Sequence, residues 1–200
     1  MFTGIVETLG TVRSIVNQQD CRKFSIQPAQ ELNDLAIGDS ISVNGVCLTV
    51  EQITAREFTV TSVPETLRLT NLFALVEQSI VNLERGMIAG ARVGGHYVQG
   101  HVDGIGEIID LQHDGAAALM LKIGLAKNLA NYIIKKGFIA LDGMSLTVVD
   151  VDQQWCSITL IPHTLANTIA HKYHIGSLVN IEVDMMAKYI EKFLDLRHAN

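Results

Sequence analysis

Two short blocks carry side chains able to do chemistry: Val46-Cys47-Leu48-Thr49-Val50 and Met144-Ser145-Leu146-Thr147-Val148. A thiol at Cys47 or a hydroxyl at Ser145 can add to an electrophilic carbon or guide water onto it. His101 supplies an imidazole, the side chain most often used to move protons near neutrality. Each has a bland alternative. Cys is among the most buried residue types, so Cys47 alone reads as an inert core thiol, and Thr49 and Thr147 read as ordinary strand residues. Against this, Ser145 stands where Cys47 stands in the other block, so the position takes a small polarisable or hydroxyl group rather than thiolate chemistry twice. Two further asymmetries between the halves bear on function. His101 holds the slot of Ile5, and His163 holds the slot of Glu65.

Other chemistries lack their signatures. Cys21, Cys47 and Cys156 are odd in number and far apart, which fits neither a disulfide framework nor paired metal ligands. His96 and His101 are five apart around a glycine without a partnering Cys or carboxylate, so no metal site is expected. His96 is expected to hold a turn through a hydrogen bond, and His171, His174 and His198 to face solvent. The glycines of Gly100-His101-Val102-Asp103-Gly104-Ile105-Gly106 sit in a β-rich region with no strand-to-helix crossover, unlike a dinucleotide loop. With a formal net charge of -6 and scattered Lys and Arg, the chain lacks a footprint for nucleic acid. The start MFTGIVETLG shows no basic segment before an apolar run, and no stretch approaches the roughly 20 apolar residues of a membrane span. A cytoplasmic protein without membrane contact is expected.

The elements that must position these residues emerge when the chain is compared with itself. Ile41-Ser42-Val43-Asn44-Gly45 lies over Ile139-Ala140-Leu141-Asp142-Gly143, Pro64-Glu65-Thr66-Leu67 over Pro162-His163-Thr164-Leu165, and Ser79 to Glu84 over Ser177 to Glu182, all at an offset of about 98. With a shift of two, Gly4-Ile5-Val6-Glu7 lies over Gly100-His101-Val102-Asp103. Short alternating β-branched runs such as Phe58 to Val63 and Ser157 to Ile161, with tight-turn chemistry at Asn44-Gly45 and Asp142-Gly143, read as strands and hairpins. Several strands in under a hundred residues must hide their edges, and a Greek-key barrel does so. The expectation is an all-β chain: residues 1–95 form one barrel with a linker over about 87–95, residues 96–184 form the second, and 185–200 form a C-terminal helix. Short helices are expected at roughly Leu67 to Leu75 and Leu165 to Tyr173. In the tail, Met186, Tyr189, Ile190, Phe193 and Arg197 are spaced three or four apart. That apolar face docks either on the chain's own barrel or on the same helix of other subunits.

The blocks resemble the riboflavin synthase family in both copies: Met1-Phe2-Thr3-Gly4-Ile5-Val6-Glu7, Val43 to Thr49, Glu65-Thr66-Leu67, Gly94-Gly95-His96-Tyr97-Val98-Gln99-Gly100-His101-Val102-Asp103-Gly104, Lys136-Gly137-Phe138 and Asn180 to Asp184. The resemblance covers almost the whole chain. It implies two six-stranded antiparallel barrels, a C-terminal helix that gathers a homotrimer, and active sites between the N-terminal barrel of one subunit and the C-terminal barrel of its neighbour. The implied substrate is 6,7-dimethyl-8-ribityllumazine. Two molecules would yield riboflavin and 5-amino-6-(D-ribitylamino)uracil by transfer of a four-carbon unit, with no cofactor, and association with lumazine synthase is a further implied partner. Carried over by position, the ligand contacts of the N-terminal barrel are Gly4, Ile5, Val6, Cys47, Leu48, Thr49, Thr61, Ser62, Val63, Pro64, Glu65 and Thr66. Those of the C-terminal barrel are Gly100, His101, Val102, Lys136, Ser145, Leu146, Thr147, Thr159, Leu160, Ile161, Pro162, His163 and Thr164. His101, Cys47 and Ser145 are the candidates for the chemistry, Ser40 and Asp184 resemble positions tied to the site, and Phe2 is expected to close the pocket at the subunit boundary. The rival is a non-catalytic antenna protein of the same superfamily that binds one lumazine or flavin; retention of both Leu-Thr-Val and both Thr-Leu blocks favours the enzyme. A flavin-binding oxidoreductase domain, the other rival, would need an Arg-x-Tyr-Ser cluster that this chain lacks.

Overall fold

A computed structural model describes residues 1–115 and 117–198, apart from the side chains of residues 197 and 198. The expected helical ends at residues 199–200, and the readings of the Arg197 and His198 side chains, lie outside this description. β1 (Thr8–Gln18), β2 (Cys21–Pro28), β3 (Ser40–Val43), β4 (Val46–Ile53), β5 (Phe58–Ser62) and β6 (Ile80–Arg85) close into one barrel in the order β1-β2-β5-β4-β3-β6. β7 (Gly104–Asp114), β8 (Ala118–Gly124), β9 (Phe138–Leu141), β10 (Met144–Val151), β11 (Trp155–Leu160) and β12 (Leu178–Val183) close the second in the same cyclic order. Every pairing is antiparallel, and the non-sequential neighbours β2–β5 and β3–β6 make the Greek key.

Alternation decides which side chains fill each barrel. In β5, Phe58, Val60 and Ser62 point inward and are buried while Thr59 and Thr61 between them are not. Closure needs sharp bends, and the bulges recur: register shifts at Val12/Ser14 and Val50/Gln52 in the first barrel reappear at Ile108/Asp110 and Val148/Asp150 in the second.

The expected hairpin turns are present, with Asn44 and Gly45 at φ 48 and 79 and Asp142 and Gly143 at φ 44 and 82. They also meet each other. A Cβ on Gly45 would sit 2.6 Å from the Gly143 nitrogen, so side-chain-free turns are needed where the halves abut. Asparagines clasp the joint: Asn180 Nδ2 donates to the Asn44 carbonyl at 2.7 Å and Asn82 Nδ2 to the Asp142 carbonyl at 2.9 Å. Asn180 and Asn82 in turn accept from the main-chain N–H groups of Asn71 and Ile169.

The short helices begin earlier than expected and are broken. α1 (Pro64–Leu69) and α3 (Pro162–Asn167) start at the prolines, whose fixed φ and missing N–H suit the first helical position. Thr70 and Thr168, extended at φ -132 and -133, end them and cap the 3-10 turns Asn71–Ala74 and Ile169–Lys172 through their hydroxyls. A further turn, α2 (Lys127–Ala130), precedes β9. The terminal helix α4 (Met185–His198) is tethered by Lys188 to Asp103 at 2.6 Å and by a hydrogen bond from the Tyr132 hydroxyl to Glu191. Its apolar stripe does not dock on the protomer's own barrels: Met186, Tyr189, Ile190 and Phe193 remain 56–65% exposed.

Candidate active site

Each barrel is preceded by a non-strand strap, residues 1–7 before β1 and residues 98–103 before β7, and the straps pair with each other. Phe2 N–H donates to the Val98 carbonyl at 2.7 Å and Val98 N–H to the Phe2 carbonyl at 3.1 Å. Beyond this bridge the straps exchange barrels. Ser145 N–H, on β10 of the second barrel, donates to the Gly4 carbonyl at 2.7 Å, whereas Cys47 N–H, on β4 of the first, donates to the Gly100 carbonyl at 2.8 Å. Val6 then packs against the second core and Val102 against the first.

The glycines permit this contact. Gly4 and Gly100 adopt φ 76 and 80, and a Cβ on either would lie 2.6 Å from the Cβ of Ser145 or Cys47.

The crossing corrects the grouping drawn from the sequence. Gly4, Ile5 and Val6 belong with Ser145 and Leu146, and Gly100, His101 and Val102 belong with Cys47 and Leu48. The repeat reveals which positions correspond, but not which barrel each strap covers.

On the second barrel this produces a cleft of about 100 Å³ lined by Gly4, Ile5, Val6, Met144, Ser145, Leu146, His163, Thr164, Asn167 and Thr168. Aliphatic walls and a few hydroxyls and amides suit a flat, polar-edged ring, but ligand-enclosing pockets usually measure about 300–1,000 Å³. One protomer therefore offers a shelf rather than a closed chamber. On the first barrel the repeat-equivalent residues are placed alike: His101 is exposed on the strap, Cys47 is half-buried beneath it, and Glu65 and Thr66 lie in the first turn of α1.

The remaining expected contacts differ in exposure. Leu160 and Ser62 are 0% exposed, and Leu48 packs in the first core, so at these positions only main-chain groups face outward. Thr159 directs its hydroxyl toward Asp114 at 3.4 Å. Phe2 is fully buried within the protomer, packed with Val98, Ala140 and Cys47. Thr49, Thr147, Val63 and Ile161 are exposed at strand and helix edges, Thr61 is partly exposed on β5, and Pro64 and Pro162 open the helices. Ser40 is exposed and pairs in register with Thr49. Lys136 is exposed at φ 64 where the first half has Gly38 at φ 93, so a lysine occupies a backbone conformation that favours glycine.

His96 is the residue that sequence reasoning undervalued. Its N–H does hold the turn, donating to the Thr3 carbonyl at 3.1 Å. Its ring, however, is buried in the site: Nδ1 lies 2.7 Å from Ser145 Oγ, and the ring stacks on Phe138 with centroids 5.0 Å apart and planes 9° apart. Burial holds the His96 pKa below the ordinary histidine value, against the opposing pull of the Asp184 carboxylate. Asp184 also accepts from Met186 N–H at 3.0 Å and so caps α4. A neutral imidazole against a serine hydroxyl can take or return a proton. No signal from the duplication pointed to His96, which lies before the matched block that begins at Gly100.

Comparison with known proteins follows the same division of the chain. The lumazine binding domain family matches twice, over residues 3–86 and 99–184. The chain belongs to the lumazine-binding riboflavin synthase family. It is 44% identical to the riboflavin synthase of Actinobacillus pleuropneumoniae over 97% of this chain and 90% of that protein. It is 43% identical to the riboflavin synthase of Schizosaccharomyces pombe over 100% of this chain and 97% of that protein. Among solved structures, LumP complexed with riboflavin superposes with a TM-score of 0.84 at 25% identity, covering 92% of this chain and 100% of LumP. The two lumazine-binding matches each begin in a strap and end just past β6 or β12. Each matched unit therefore supplies the strap of the other's pocket.

Proposed function

We propose that this chain is a riboflavin synthase that converts two molecules of 6,7-dimethyl-8-ribityllumazine into riboflavin and 5-amino-6-(D-ribitylamino)uracil. The observation that carries the reading is the duplicated strap-and-barrel shelf, present in both halves with its polar side chains, as a reaction between two copies of one compound requires. One lumazine gives up the four carbons that the other gains, so the reaction balances without an external oxidant. Holding both rings in contact makes the step effectively intramolecular, which contributes about 7–11 kcal/mol.

In this reading the ring methyl on carbon 7 of one lumazine loses a proton, and the resulting carbanion adds to the other. His101 and the His96–Ser145 pair are the groups suited to move protons, and Cys47 stands at the facing position of the first barrel. The small open cleft and the exposed stripe of α4 support a homotrimer in which the first barrel of one protomer faces the second barrel of its neighbour. Action in the cytoplasm fits unpaired cysteines, and association with lumazine synthase would bring substrate to its consumer.

The rival is a lumazine- or flavin-carrying antenna protein, favoured by the fold it shares with LumP. Incubation with 6,7-dimethyl-8-ribityllumazine decides between them: riboflavin absorbance should rise as lumazine is consumed two for one. Tight ligand fluorescence without turnover would establish the antenna reading instead.

A further inference from the structure

The carboxylates of Glu84 and Glu182 line neither pocket, yet each lies beneath a strap. Glu84, near the end of β6, accepts from Thr3 N–H at 2.6 Å, Thr3 Oγ1 at 2.7 Å and Gly4 N–H at 3.0 Å. Glu182, its repeat partner on β12, accepts from Gln99 N–H at 2.7 Å and Gly100 N–H at 2.9 Å. They are 6% and 4% exposed, and neither forms an ion pair among the described residues.

Burying an unpaired carboxylate is costly, and burial does push both carboxyls up against the pull of the strap N–H groups. An apolar side chain would fill the same space without that cost. What it would not do is hold two consecutive main-chain donors in one orientation. The N–H of Gly4 or Gly100 is fixed by the glutamate of one barrel while the carbonyl of the same residue receives the N–H of Ser145 or Cys47 from the other.

We propose that Glu84 and Glu182 are positioning residues acting across the barrels: Glu84 on the first fixes the strap over Ser145 on the second, and Glu182 on the second fixes the strap over Cys47 on the first. The inference rests on the proposed reaction only for what the pockets hold; strap position can be read without turnover.

The test is alkylation of Cys47 by iodoacetamide, with peptide mass spectrometry separating it from Cys21 and Cys156. Glu182→Gln leaves one strap N–H facing an amide instead of a carboxylate oxygen and should speed Cys47 alkylation about tenfold. Glu84→Gln, although on the same barrel as Cys47, should change it little. In a Cys47→Ser background, the thiol installed by Ser145→Cys should show the reverse dependence. Glu182→Asp keeps the charge on a shorter arm and should give a smaller change in the same direction, providing a readout where Glu182→Gln does not fold. Equal acceleration of Cys47 by both glutamine variants would indicate local barrel loosening and overturn the proposal, as would unchanged alkylation in Glu182→Gln and Glu182→Asp.

Discussion

His96 Nδ1 and Ser145 Oγ lie 2.7 Å apart, joining the segment between the barrels to the second barrel's pocket through a buried imidazole that stacks on Phe138. The contact places a neutral imidazole where the strap carrying Gly4 meets β10.

Because the two side chains act as a unit, removing either should cost nearly as much as removing both. His96→Ala and Ser145→Ala are each expected to lower kcat by about 10²-fold, with the double variant little worse. The lowered His96 pKa also places the acid limb of the wild-type pH–rate profile below the ordinary histidine range, and that limb should change in His96→Ala. Steady-state kinetics on the three variants across pH checks both expectations.

At the joint between the halves, Asp142 is fully enclosed, accepting from Tyr173 Oη at 2.7 Å, Asn71 Nδ2 at 2.9 Å and Asn180 N–H at 2.8 Å. Burial outweighs these donors and pushes its carboxyl up to about 6 from an ordinary value of 3.8. The folded chain thus holds this proton more tightly than the unfolded chain. The contribution favours folding in acid and is lost as pH rises from about 4 to about 6, a change on the order of 3 kcal/mol. Asp142→Asn mimics the protonated side chain and should flatten this dependence. Unfolding midpoints at pH 4.5 and 7 should therefore differ less in the variant than in the wild type, by the amount Asp142 contributes.

The stripe of α4 gives a third expectation. Ile190→Asp with Phe193→Asp places charge in the face that one protomer leaves uncovered, and should shift the protein from an assembly to a species of about 21.9 kDa in sedimentation, with loss of turnover.

Much of this was legible in the sequence because duplication doubles every signal. Asn44-Gly45 and Asp142-Gly143 mark hairpins wherever they occur, and their recurrence in one order made two barrels the economical reading. What the repeat could not show was contact between its copies. The abutting of Gly45 on Gly143, the Asn71–Asp142 bond and the strap exchange all depend on how the halves dock, which no local pattern encodes. The helix starts were misplaced for a local reason: the helices were expected at Leu67 and Leu165, after the Pro-x-Thr-Leu blocks, whereas Pro64 and Pro162 themselves open them. Nor did the runs carried over whole distinguish side chains that face outward from those, such as Leu160 and Ser62, that alternation turns into the barrel.

In the proposed homotrimer one turnover needs the first barrel of one protomer and the second barrel of another. Thr66→Trp should block the first shelf and Thr164→Trp the second, leaving each variant inactive alone. Activity measured after the two folded proteins are unfolded and refolded together should reappear, since mixed assemblies pair an intact first barrel with an intact second one. Mixed assemblies that form but stay as inactive as their parents would contradict the claim.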